Sequence, residues 1–111
     1  MNYIDFEAGN KSYKLRLNTR NTVALEKQLG CFPLNIFGSG ETVPPVSTMV
    51  AILHASLQCY EHGITLNDAY DIFDEYLADG NSAVDFIPVI LEIYKVSGII
   101  PKDSGEAAKN A

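Results

Sequence analysis

Three apolar segments of helical spacing, each opened by a capping residue and closed by a glycine, fill residues 47 to 98 and commit that part of the chain to helices. The first starts near Ser47 and runs toward Gly63, with Val50, Leu53, Leu57 and Tyr60 on one stripe and Met49 and Ile52 widening it. An arc that broad is expected to be covered on more than one side. The second begins at Thr65-Leu66-Asn67-Asp68, a capping-box variant in which the Thr65 hydroxyl bonds the Asp68 amide and the Asp68 carboxylate reaches back; it stops at Gly80. The third opens on the same device at Ser82-Ala83-Val84-Asp85 and ends at Gly98, with Pro101 beyond. Pro88 inside it predicts a bend or a late start, because its ring displaces one backbone hydrogen bond. This helix is apolar nearly all round: Phe86, Ile87, Val89, Ile90, Leu91, Ile93, Tyr94 and Val96 leave only Asp85, Glu92 and Lys95 as a polar strip. Such a helix is central in its own fold or covered by a partner.

The first 17 residues alternate instead. Tyr13, Leu15 and Leu17 point one way and Ser12, Lys14 and Arg16 the other, while Ile4 and Phe6 supply the apolar face of an earlier strand. Ala8-Gly9-Asn10-Lys11 between them predicts a β-hairpin, which is marginal alone and must lay its apolar face on something else. Asn18-Thr19-Arg20-Asn21 offers N-caps for a short helix lined by Val23, Ala24, Leu25 and Leu29 and ended by Gly30. The apolar run Cys31 to Phe37 is broken by Pro33, and Gly38-Ser39-Gly40 with Pro44-Pro45 predicts a mobile loop. The fold class expected is α+β, mostly α: a two-stranded N-terminal hairpin packed on about four helices. At 111 residues and 47% apolar, one domain over residues 1–101 is expected, followed by a disordered tail, 102–111, with no aromatic or branched apolar side chain beyond Pro101.

Charge is segregated. The whole chain carries 14 carboxylates and 8 Lys and Arg, a net −6. Residues 1–30 hold five basic and three acidic groups, 5 − 3 = +2, so the remainder is −8. From Cys31 to Tyr94 there is no Lys or Arg against nine carboxylates. Neutralising phosphates requires clustered cations, so neither nucleic acid nor an acidic membrane surface is an expected partner. No window reaches the ~18 continuous apolar residues of a membrane helix. The opening Met1-Asn2-Tyr3-Ile4-Asp5-Phe6-Glu7 lacks the basic leader and apolar run of a secretion signal, and a cytoplasmic protein is expected.

Asp68, Asp71, Glu75 and Asp79 fall at i, i+3, i+7 and i+11, on one face of the second helix of that series, with Asp74 at its edge. They read either as a solvated face or as an acidic docking stripe, since like charges without basic neighbours repel and a cationic partner relieves this. The order of an EF-hand calcium loop is absent. His54 and His62 stand eight apart rather than four, and Cys31 and Cys59 form no C-x-x-C pair, so no metal or cofactor is expected. No serine sits in G-x-S-x-G, and Gly38-Ser39-Gly40 lacks the Lys-Ser/Thr ending of a phosphate loop. No enzyme is expected.

The hairpin, then Asn21-Thr22-Val23-Ala24-Leu25-Glu26-Lys27-Gln28-Leu29-Gly30 followed by Cys31-Phe32-Pro33-Leu34-Asn35-Ile36, resembles the tail assembly chaperones of long-tailed, siphovirus-type bacteriophages and prophages. Gly63-Ile64-Thr65-Leu66-Asn67-Asp68-Ala69-Tyr70 and Asp85-Phe86-Ile87-Pro88 also look like that group, and the similarity of pattern and order covers roughly residues 1–101. The resemblance implies a small acidic protein that coats the tape measure protein before the tail tube polymerises, works in the cytoplasm of the bacterial host, and is absent from the mature virion. It also implies a longer form of the same protein made by a −1 ribosomal frameshift.

The function expected is therefore non-enzymatic: binding and shielding of a tape measure protein through helix-in-groove contacts. Asp68, Asp71, Glu75 and Asp79 would supply charge, and Ile87, Leu91 and Tyr94 apolar contact, unless the core consumes the latter three. The alternative is an acidic phage regulator that imitates DNA charge and inhibits a host nucleic-acid-binding protein. Self-association is expected as well, with Lys14 and Arg16 on the hairpin meeting the acidic stripe of the next copy head to tail. Ala108-Lys109-Asn110 can be encoded by GCA-AAA-AAC, which contains the slippery heptamer A-AAA-AAC. Sequencing codons 108 to 110 checks the frameshifted form: the heptamer is expected there, and a codon choice without it removes this support.

Overall fold

The computed structural model describes residues 2–38 and 43–102 of the chain. The expected tail from 103 onward, the centre of the expected loop at residues 39–42, and codons 108 to 110 of the frameshift reading lie outside the described residues. Two antiparallel strands, β1 (Ile4–Ala8) and β2 (Lys11–Leu15), are followed by α1 (Thr19–Leu29), a 3₁₀ helix (Pro33–Phe37), α2 (Val46–Leu57), α3 (Leu66–Ala78) and α4 (Phe86–Val96). The α+β, mostly α class read from the sequence is the observed one.

The hairpin pairs Ala8 with Lys11 and Phe6 with Tyr13, leaving a two-residue turn in which Gly9 (φ +60) and Asn10 (φ +70) both take the left-handed conformation. This is the turn geometry whose twist matches paired strands, and glycine and asparagine adopt it at least cost. Phe6, Ala8, Tyr13, Leu15 and Leu17 are buried as the alternation requires. The apolar face rests on α2, α3 and α4. Beyond β2, the Arg16 amide donates to the Ser56 carbonyl at 3.0 Å and the Leu17 amide to Ser97 Oγ at 2.8 Å, which ties the strand end to the helices.

α2 is the central element, with Met49, Val50, Ala51, Ile52, Leu53, Ala55, Ser56 and Leu57 all buried. It stops at Leu57, short of Gly63. The Gln58 side-chain amide donates to the carbonyls of His54 and Ile64 and folds the chain back into turns, so Tyr60 leaves the stripe and packs edge-on against Tyr3. α1 is capped by Asn18, whose side chain accepts from the Asn21 amide, and ends on Gly30 at φ +78. Of its expected lining only Leu25 is buried; Val23 is two residues away, about 200° around a helix of 3.6 residues per turn, and faces outward with Ala24. Pro33 does not merely break the chain: it opens the 3₁₀ helix, where its missing N–H is not needed.

α4 is not the central helix. It buries Phe86, Ile90, Ile93 and Tyr94 along one arc and leaves Ile87 and Leu91 half-buried. Ser82 and Asp85 exchange the expected capping bonds at 2.8 and 3.2 Å, but these close a turn ahead of the helix. Pro88 then lies in the first helical turn, where no N–H is required, and the result is a late start. Phe6, Phe73, Tyr76 and Phe86 form an aromatic cluster with centroids 4.9–5.9 Å apart, joining hairpin, α3 and α4 in one core. Among the described residues no helix is long and apolar enough to cross a membrane.

Gly9 combines a positive φ with close approach to α3: a Cβ there would collide with the Glu75 carboxylate. At Gly30 the φ is also positive but the space is open. Gly9→Ala and Gly30→Ala should both lose about 1–2 kcal/mol from backbone strain, and Gly9→Ala more than that. Urea unfolding of the two variants checks the difference, and Glu75→Ala is expected to recover part of the Gly9→Ala loss.

Candidate functional site

The inward arc of α3 is taken by Ala69, Ile72, Phe73 and Tyr76, so its carboxylates must lie on the flanks and outer face. One flank looks toward the end of the hairpin. There Gly9, Lys11 and Tyr13, the post-α2 turn residues Glu61 and Ile64, and Asp68, Asp71, Ile72 and Glu75 of α3 surround an open cleft of about 430 Å³. Its floor is apolar and its rim carries four carboxylates and one ammonium, 1 − 4 = −3. Among the described residues the single ion pair is Lys95 with Glu92, so none of them makes an ion pair with a carboxylate of the cleft.

Local structure explains each position. Asp68 occupies the third position of α3 because the Thr65 cap requires an acceptor there: the Thr65 amide donates to Asp68 Oδ2 at 2.9 Å and the Asp68 amide to Thr65 Oγ1 at 3.1 Å. Hydrogen bonds from the Thr65 amide and hydroxyl hold the Asp68 carboxyl below its ordinary value. Asp71 and Glu75 follow at i+3 and i+7. The Tyr13 hydroxyl is pushed up, first by burial and then by the nearby carboxylates of Glu75 and Glu61.

The expected acidic stripe is thus divided. Asp68, Asp71 and Glu75 meet at the cleft, whereas Asp79 accepts the Gly9 amide at 2.9 Å and pins the hairpin turn to the end of α3. Ile87 and Leu91 are half-buried on α4 and do not line the cleft. Tyr94 is a correction: it is fully buried, its hydroxyl donates to the Pro33 carbonyl at 2.9 Å, and burial followed by Cys31 raises it far above an ordinary tyrosine. It anchors the 3₁₀ helix and offers a partner nothing. Lys14 is exposed opposite Asp5, its Nζ 5.1 Å from the centre of the Tyr3 ring. Arg16 is half-buried, with Nε lacking a partner among the described residues.

Glu61, Lys11 and Tyr13 were not among the site residues read from the sequence. Glu61 had a local signal, standing in the turn just before the Thr65 cap, but Lys11 and Tyr13 enter the site only because the hairpin folds onto α3. Tyr70 and Leu77, 46% and 37% exposed, were also missed; with Asp74 they fall at i, i+4 and i+7 on the outward face of α3. Both cysteines are free, and among the described residues no three His, Cys, Asp or Glu side chains are grouped so as to hold a metal ion.

Residues 4–111 match a family described as a family of unknown function (DUF6096), and the chain belongs to that family. No curated protein and no solved structure matches it.

A carboxyl held below its ordinary value in the folded state contributes stability that is present above its unfolded value and lost as pH falls through the folded one. Asp68→Ala should therefore be less stable than the parent chain at neutral pH, with the difference shrinking as the pH is taken well below the ordinary 3.8. Urea midpoints across that range check it. Tyr94→Phe, which strands the Pro33 carbonyl, should cost about 1 kcal/mol at any pH short of unfolding.

Proposed function

We propose that this member of the DUF6096 family is a non-enzymatic tail assembly chaperone that binds the tape measure protein of a bacteriophage or prophage tail and shields it until the tube forms. The observation that carries the reading is an acidic helix whose outward face also bears exposed apolar side chains: Tyr70 and Leu77 alternate with Asp74, next to carboxylates that form no ion pair among the described residues. Apolar anchors supply affinity by leaving water, while unpaired charge selects the partner and keeps the complex dispersed. Ile87 and Leu91 on α4 extend the apolar contact, and Val84 is exposed in the turn just ahead of that helix.

In this reading the protein acts in the cytoplasm of the bacterial host and leaves before the virion matures. A frameshifted longer form of the same chain acts beside it, and copies associate head to tail. Lys14, exposed on the hairpin, is the better placed of the two cations expected to make the self-contact, because Arg16 is half-buried.

Pull-down with purified tape measure segments tests the proposal. Retention is expected, and Ile87→Asp with Leu91→Asp should weaken it about tenfold, roughly 1.4 kcal/mol, without unfolding the chain. No retention, together with capture of a nucleic-acid-binding host protein, would turn the reading to a DNA-mimicking regulator. Light scattering at low and high salt reports self-association: larger species that dissociate in salt are expected, and a monomer at low salt and high concentration overturns it.

A further inference from the structure

The cleft between the hairpin and α3 holds more than a row of acids. Tyr13 forms part of its wall with only 9% of its surface exposed, and its hydroxyl has no hydrogen-bond partner among the described residues. The ring is buried while its hydroxyl stays accessible from the open cleft, so a hydrogen-bonding group of a ligand can take the place of water there. Ile72, 6% exposed, and Ile64 supply apolar wall beside it. Glu61 reaches the cleft from the turn after α2, and Asp68, Asp71 and Glu75 from α3.

We infer that this cleft receives one arginine side chain of a partner protein, its guanidinium among Glu61, Asp71 and Glu75 and against the Tyr13 hydroxyl, its aliphatic stem along Ile64 and Ile72. A metal ion does not fit, because no three of these acids are grouped to ligate one. An ammonium fits less well. It is compact and strongly hydrated, whereas a guanidinium spreads five donors over a plane, engages carboxylates from two directions at once, and comes more cheaply against apolar side chains. Asp68 keeps one oxygen for the Thr65 amide and adds charge from the rim.

Lys11 also borders the cleft, yet forms no ion pair among the described residues. With four carboxylates and one ammonium the cleft retains −3, enough to take a second cation. The same balance disfavours free arginine, whose own carboxylate would enter a field of its own sign. A volume of about 430 Å³ lies within the ~300–1,000 Å³ of small-molecule sites and leaves room for the backbone on either side of the arginine. That the partner is a tape measure protein rests on the function proposed above; the preference for a guanidinium does not.

The test is a titration of the 15N-labelled full chain with the blocked peptide Ac-Gly-Arg-Gly-NH2, with its lysine and citrulline counterparts, and with free arginine. Saturable shifts are expected at the amides of Gly9, Tyr13, Ile64, Asp71 and Ile72, with the arginine peptide binding about fivefold tighter than the lysine peptide or free arginine and the uncharged citrulline peptide not saturating. Asp71→Asn combined with Glu75→Gln should weaken binding about tenfold and Tyr13→Phe two- to threefold, while Lys11→Met strengthens it and Glu26→Gln on α1, outside the cleft, leaves it unchanged. The inference is overturned by shifts that never saturate or that spread evenly over all surface carboxylates, by equal binding of the arginine and lysine peptides, or by free arginine matching the peptide. Arginine-peptide binding without retention of tape measure segments keeps this assignment and removes the chaperone reading. Retention without arginine preference does the opposite.

Discussion

Everything in this fold leans on α2. Eight of its twelve residues are buried, and β2, α1, α3 and α4 all pack against it. A helix hydrophobic over most of its circumference is stable in water only when covered from several sides. The hairpin, itself too small to stand alone, gains its stability from the same burial. The remaining elements are positioned as covers, and their outward faces are what a partner can meet.

The cleft is a by-product of that covering. α3 and the hairpin both rest on α2, and the gap between them is kept at fixed width by a short contact at the turn, where the Gly9 amide is held by Asp79 and the glycine backbone lies against Glu75. A Cβ there would have to push the Glu75 carboxylate aside, and the positive φ favours glycine as well. The turn chemistry that allows the hairpin to form and the contact that locates it on α3 therefore depend on the same glycine. Charge follows the same partition: the cations of the first thirty residues and the carboxylates of α3 sit on different elements, and within the described residues they do not pair.

Local signals were legible wherever a few neighbouring residues decide the outcome. The Thr65 to Asp68 capping box, the Asn18 cap, the Gly30 terminus and the Gly9-Asn10 turn all appear where their residue types require. Errors arose where two readings of one apolar pattern are separated only by long-range packing. α2 and α4 are both rich in large aliphatics, and nothing in their spacing says which one lies in the middle; α2 does, so α4 keeps Ile87 and Leu91 half-buried while Tyr94 goes wholly to the core. Val23 is a local case instead: two residues from Leu25 on α1, it turns about 200° away from the core and lies at the surface.

The amino-acid sequence by itself determined the hairpin, the four helices, the caps of α1 and α3, the segregation of charge and the acidic face of α3, because those depend on spacing within one or two turns of chain; α2 and α4 begin without side-chain caps. The tertiary structure alone decided that Asp79 serves the hairpin rather than a partner, that Asp68, Asp71 and Glu75 are joined by Glu61 and Tyr13 around a cleft, and that Tyr94 is unavailable. Gly9 and Asp79 stand 70 positions apart and Tyr94 and Pro33 61, and such pairings follow from the way apolar faces cover one another rather than from any local pattern.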